Sequence, residues 1–168
     1  MFTTLARLNS LSAIISSSLF VLIGMISLTS LRYPESTLSN IQLTQFNVVN
    51  SYNKLNEFAF LRFDGLIDSS HLFDNWNTKQ VFVQLTANYN NKNTQSSTVV
   101  WDKIIKPHQQ HTRIENAKQK YSLKSKSFKD YSNATLTLTY DIQPYVGLNR
   151  QGVLHSQPIE FPNVKSNI

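Results

Sequence analysis

Four histidines, His71, His108, His111 and His155, are the side chains of this 168-residue chain best suited to acid–base or metal chemistry near neutral pH. His108 and His111 stand three apart, a spacing that on a helix would set two imidazoles on one face. Pro107 and the polar neighbours favour a loop instead, and no third ligand accompanies them. The chain has no cysteine, which excludes disulfide scaffolds, thiolate zinc sites, iron–sulfur clusters and cysteine nucleophiles together. Gly24, Gly65, Gly147 and Gly152 are too dispersed for a phosphate-cradling loop, and no G-x-S-x-G turn occurs. Serines are plentiful, but a nucleophile needs a positioned base and an oxyanion hole. Ser125, flanked by Lys124 and Lys126, would on a strand face away from both. On these residues the chain is non-catalytic, with no metal and no cofactor assigned.

The elements that would carry any site begin with a long apolar run. From Leu11 to Leu31 there is no charge, Pro, Asn or Gln, and Arg7 and Arg32 bracket the run. At helical rise these residues measure about 31 Å, matching a hydrocarbon core of about 30 Å. Its six serines and one threonine suit a helix that packs against other helices. A cleaved signal peptide is the competing reading; the run is longer than such a segment needs, and no A-x-A site follows it. Arg7 and the free amine lie ahead of the run, whereas Arg32 and Glu35 behind it cancel, which favours a cytosolic N-terminus. The expected organisation is a short cytosolic segment over 1–10, a transmembrane helix over 11–31 and a lumenal or extracellular domain over 32–168.

Beyond Pro34 the signals are those of strands. Lys79 to Tyr89 alternates, with Val81, Val83, Leu85, Ala87 and Tyr89 on one face and only Phe82 breaking the polar other, which suggests a second contact there. Thr135 to Ile142 alternates more cleanly, setting Leu136, Leu138, Tyr140 and Ile142 against Thr135, Thr137, Thr139 and Asp141. Less regular strands are expected at Ile41 to Val49, Phe58 to Asp64, Thr98 to Ile105 and Gly152 to Phe161. Asn88 to Ser97 reads as a polar hairpin turn, and Gly65 to Asn77 has room for one helical turn. The fold class is mainly β: an antiparallel β-sandwich on a single N-terminal transmembrane helix.

The net charge of +6 is mild for the length. It does not mark a nucleic-acid binder. Arg113, Lys118, Lys120, Lys124, Lys126 and Lys129 form the densest basic cluster, read as a solvated loop or a lysine-protected edge strand, with anionic headgroups as the alternative partner. Trp76 and Trp101 are either core packing or interface anchors. Asn133-Ala134-Thr135 is an N-x-[ST] sequon directly before the clearest strand, and on a lumenal domain it marks Asn133 for glycosylation.

The run W-N-T-K-Q-V-F-V-Q-L-T-A-N-Y from Trp76, with Lys92-Asn93 and V-V-W-D-K-I from Val99, resembles the signal peptidase complex subunit 3 family. The sequon followed by T-L-T-L, the ending around Phe161-Pro162 and the Leu8-Asn9-Ser10 start fit as well. The order is kept along essentially the whole chain, and Lys106 to Tyr131 matches poorly. The resemblance implies a single-pass endoplasmic-reticulum glycoprotein with a lumenal β-domain, glycosylated at Asn133. It would assist a separate catalytic subunit that removes signal peptides. The implied partners are that subunit, the small membrane subunits of the same complex, the bilayer and the translocon. No catalytic residue carries over. Trp76, Lys79, Trp101 and Lys103 are the candidate interface residues. Two rival readings are a membrane-anchored or secreted β-sandwich binding module, and a tethered hydrolase acting alone.

Overall fold

The computed structural model describes residues 3–30, 39–52, 55–91, 94–129, 131 and 133–162. It opens with α1, Thr4–Thr29, whose N-terminus is capped by Thr3, its hydroxyl accepting from the Ala6 amide. The helix starts seven residues ahead of the expected span because nothing in Leu5 to Ser10 breaks it. It stops at Ser30, the C-cap, whose amide donates to Leu28 and Ser27. The helix is long and apolar enough to cross a membrane, and none of its residues is buried. Ser17 and Ser18 return their hydroxyls to the carbonyls of Ile14 and Ile15, so these serines do not leave polar groups unsatisfied along the span.

Eight strands follow among the described residues: β1 Asn40–Asn50, β2 Glu57–Asp68, β3 Thr78–Asn91, β4 Thr94–Ile105, β5 His111–Lys118, β6 Leu123–Ser125, β7 Asn133–Pro144 and β8 Arg150–Ile159. They form two antiparallel sheets. One runs β1-β2-β5, with β6 also on β2; the other runs β4-β3-β7-β8. Their facing sides make one core, with Phe63, Leu61, Ile67, Val81, Val83, Leu85, Leu138 and Ile142 essentially inaccessible. This is the expected sandwich. The inward residues of β3, and Leu136, Leu138 and Ile142 of β7, are those that the alternation selects; Tyr140 is half-buried against the core, roofing Gly152 across the ladder.

The β3–β4 ladder continues to Asn91 opposite Thr94, so the hairpin turn is much shorter than Asn88 to Ser97. One 3-10 turn, Ser70–Phe73, supplies the helical turn expected before Asn77. A second, Pro107–Gln109, holds His108 in the loop, whereas His111 opens β5. The basic cluster is part edge strand and part loop: Arg113 and Lys118 stand on β5 and Lys124 on β6, along one edge of the first sheet, whereas Lys120, Lys126 and Lys129 lie outside the strands. Between β5 and β6 Gln119 is buried and its side chain takes the place of a strand. Its amide nitrogen donates to the Ala59 carbonyl at 2.9 Å and its oxygen accepts from the Leu61 amide at 3.0 Å. At the end of the sandwich away from the helix, Tyr89, Phe128, Tyr131 and Phe161 pack ring to ring at centroid distances of 4.6–6.4 Å.

Candidate functional site

The best-built polar constellation lies where α1 meets the sandwich. Asn75 and Asn77 flank Trp76 in the turn ahead of β3. The Asn75 side chain closes that turn by accepting from the Asn77 amide at 3.0 Å, and its own amide donates to the Thr29 carbonyl at 2.8 Å. That carbonyl is one of those a helix C-terminus leaves open. Asn77 is buried, 1% exposed. It donates to Ser30 Oγ and to the Val146 carbonyl, both at 2.7 Å, and accepts from the Val146 amide at 3.1 Å. Ser30 Oγ donates in turn to the Val146 carbonyl at 3.2 Å, and the Tyr145 amide donates to the Asn77 carbonyl at 2.8 Å.

Gly147 completes the joint. Its φ of +116° lies in the left-handed range, and a Cβ there would stand 2.9 Å from Ser27 Oγ and 3.3 Å from Ser27 Cα. Only a glycine lets the β7–β8 loop approach the last helical turn this closely. The joint thus fixes the sandwich to the helix end through three asparagine and serine side chains and one close backbone approach.

A second candidate is the outer face of the β4-β3-β7-β8 sheet. Its register sets Ile104, Phe82, Asp141 and Gln151 in one row across four strands, and Asp102, Gln84, Thr139 and Val153 in the next. Phe82, the residue that breaks the polar face of β3, lines a groove of about 380 Å³ with Gln84, Thr139, Asp141 and Val153. Thr139 Oγ1 and Asp141 Oδ1 are buried there, with no hydrogen-bond partner among the described residues. Unpaired buried polar atoms are costly unless something else satisfies them.

Among the described residues, histidine, serine and aspartate meet around Asp68. Asp68 Oδ1 accepts from the Ser70 amide at 3.1 Å and from Ser70 Oγ at 2.8 Å, and His111 Nδ1 stands 3.3 Å from it. These hydrogen bonds from Ser70, first the backbone one, hold the Asp68 carboxyl below its ordinary pKa. The order is wrong for nucleophilic catalysis. A triad needs the imidazole on the hydroxyl and the acid behind the imidazole; here the hydroxyl spends its proton on the acid. The His108–His111 pair is divided between a turn and a strand, and no group of three His, Asp or Glu that could hold a metal occurs among the described residues.

The four sequence-derived interface residues are not one patch. Trp76 is 67% exposed beside the helix end, and Lys79 is exposed at the irregularity between Thr78 and Gln80. Trp101 is only 7% exposed and packs edge-on to Phe63 at 5.6 Å, so it belongs to the core and not to a surface. Lys103 is half-buried on β4 opposite Val83, about 13 Å further along the sheet than Lys79. Asn133 begins β7 opposite Asn90, at the pole of the sandwich away from the helix.

A family described as signal peptidase subunit matches residues 1–164, the helix and the sandwich together. The chain belongs to that family. It is 39% identical over 122 residues to signal peptidase complex subunit 3 of Yarrowia lipolytica, covering 68% of this chain and 65% of that protein. It is 33% identical to the Gallus gallus and 31% identical to the Homo sapiens proteins of the same name, in both cases over 157 residues, 88% of this chain and 87% of theirs. The match thus spans just under two thirds of the length of the Yarrowia lipolytica relative and most of the length of the vertebrate ones. In this signal peptidase subunit family member, the Trp76-Asn77 pair is the joint itself: one residue turns outward beside the helix and the other ties sandwich to helix. Sequence reasoning singled out Trp76 and passed over Asn77 and Ser30. A polar residue at the very end of an apolar helix, and an N-x-N turn ahead of a strand, were the available signals.

Proposed function

We propose that this chain is the accessory, non-catalytic subunit of a serine-type signal peptidase complex of the endoplasmic reticulum. In this reading α1 crosses the membrane with its N-terminus cytosolic. The lumenal sandwich braces a separate catalytic subunit, and small membrane subunits pack beside the Ser-rich helix near the translocon. The family match along residues 1–164 is the observation that carries it. Arg7 ahead of the span supports the orientation. The inverted Ser70–Asp68–His111 geometry supports an outside source for the hydrolytic groups.

The brace has a physical basis. A rigid body held by Asn77 on a membrane helix keeps a high effective concentration near its partner and one orientation toward it. Support of this kind matters because small looseness in a catalytic constellation lowers rate. The outer sheet face around Phe82 is where the catalytic subunit packs. Its apolar Phe82, Ile104 and Val153 bury area against the partner. Lys79 lies at the end of β3 and contributes at the rim, whereas Lys103, paired with inward-facing Val83, stands outside this contact. Asn133 carries an N-linked glycan at the far pole, about 40 Å along β3 from the joint, where it clears both helix and partner.

The test is assembly. Phe82→Lys and Val153→Lys, both on the outer face, should leave the isolated chain folded and remove the catalytic subunit from affinity purifications in mild detergent. Retention of that subunit by both variants would refute this face as the contact. Failure of the native chain to bring down any signal peptidase subunit would refute the function.

A further inference from the structure

The joint gathers three large exposed side chains around the helix end. Trp76, Tyr145 and Leu148 are 67%, 64% and 74% exposed. Each is one residue from an atom fixed to the end of α1: Trp76 lies between Asn75 and Asn77, which bond Thr29 and Ser30, Tyr145 precedes Val146, and Leu148 follows Gly147, which rests on Ser27. Their height relative to a bilayer is therefore set by the helix. From Arg7 to Thr29 the axis rises about 33 Å, or about 31 Å at an ordinary tilt, against a hydrocarbon core of about 30 Å. With Arg7 at one boundary, Thr29 reaches the other.

We infer that Trp76, Tyr145 and Leu148 form a seat by which the sandwich rests in the polar–apolar boundary of the bilayer from which its own helix emerges. Trp and Tyr favour that zone because each has an apolar ring and a polar tip. Leu148 adds purely apolar area beside them. Lys79 is exposed at the same end of β3, and Lys106 is exposed where β4 ends, directly after the Ile105–Val81 pair; both are long enough to reach headgroup phosphates. The seat and the joint act together. The hydrogen bonds of Asn75 and Asn77 set the angle between helix and body, and the three side chains hold the body down on the membrane, so that one face of the sandwich keeps a fixed height above the lipid. This does not depend on which protein the chain assembles with.

The full chain reconstituted in phosphatidylcholine vesicles, with and without bromine on the upper acyl carbons, gives the test. Bromolipid should quench about half of the indole emission, since Trp76 is one of two tryptophans and Trp101 is buried. Aqueous iodide should leave that half intact, and Trp76→Phe, an exposed substitution, should remove the bromolipid-sensitive part. The chain has no cysteine, so Leu148→Cys accepts a single nitroxide; its collisions with oxygen should exceed those with a water-soluble nickel chelate. Iodide quenching without bromolipid quenching, bromolipid quenching that persists in Trp76→Phe, or a nitroxide freely met by the nickel chelate would each overturn the seat. Loss of the bromolipid effect in the purified complex in the same lipids would show a protein subunit covering these residues, and would overturn it equally.

Discussion

Replacing Asn77 by alanine removes the centre of the joint. The side chain makes three hydrogen bonds, to Ser30 Oγ and to both backbone groups of Val146, in a site that is 1% exposed. The Val146 carbonyl keeps the Ser30 hydroxyl, but the Val146 amide loses its Asn77 acceptor. An unpaired buried donor costs about 1–3 kcal/mol, and each of the other two bonds contributes about 0.5–1.5 kcal/mol, so the loss is roughly 2–6 kcal/mol. That corresponds to a fall in melting temperature on the order of 10 °C for a body of this size. Thermal melting of the full chain in detergent reads it. Nitroxides on Leu28 and Leu148, both exposed, read the geometry, and their distance distribution should broaden in the variant. Asn77→Asp should be no milder, since its carboxylate keeps the acceptor for the Val146 amide but faces the Val146 carbonyl with no donor. A melting temperature within a degree or two of native, with an unchanged distance distribution, would refute the joint as the element that orients the body.

Gln119→Leu strips the buried Leu61 amide and Ala59 carbonyl of their partners, so it should cost roughly 2–5 kcal/mol and speed hydrogen exchange at the Leu61 amide, which amide-exchange mass spectrometry detects. Asp68, with its carboxyl pKa lowered in the folded state, contributes stability that is complete above the ordinary carboxylate range and lost as pH falls through the lowered value. Asp68→Asn should therefore destabilise modestly at neutral pH, with the gap from native closing in acid, as paired denaturant titrations across pH would show. Asn133→Gln should remove one glycan's mass from the chain made in microsomes, and no gel shift would contradict a lumenal sandwich glycosylated at that position.

Where period two is unbroken, as in β3 and β7, the sequence alone identifies strand, inward face and core. Where a bulge interrupts it, the pattern fails for a visible reason. In β5 the register slips between Ile114 and Ala117, opposite Asp64, whose carboxylate accepts from the Asn116 amide. Asn116 takes a positive φ there. Thr112 and Ile114 point inward before the bulge and Ala117 after it, so the two-residue alternation is lost half-way along the strand. β6 is three residues long, too short to show a period. Gln119 was invisible because its side chain does the work of backbone.

The site was legible in part. Phe82 announced the outer sheet face by breaking an otherwise polar row. Trp76 and Trp101 read alike in the sequence, each as core packing or an interface anchor, and the fold exposes the first and buries the second, because composition cannot say which of two indoles points into the core. The joint depends on residues brought together from Thr29 to Val146, and no local spacing encodes a contact of that range.

The account rests on this chain supporting cleavage performed by another subunit. Microsomes depleted of it and then resupplied, scored for the processed fraction of a secretory precursor, test that most directly. Cleavage should fall on depletion and return with the native chain, but not with the outer-face variants Phe82→Lys and Val153→Lys. Undiminished processing in the depleted microsomes, or cleavage of the precursor by the purified chain without any partner, would contradict it.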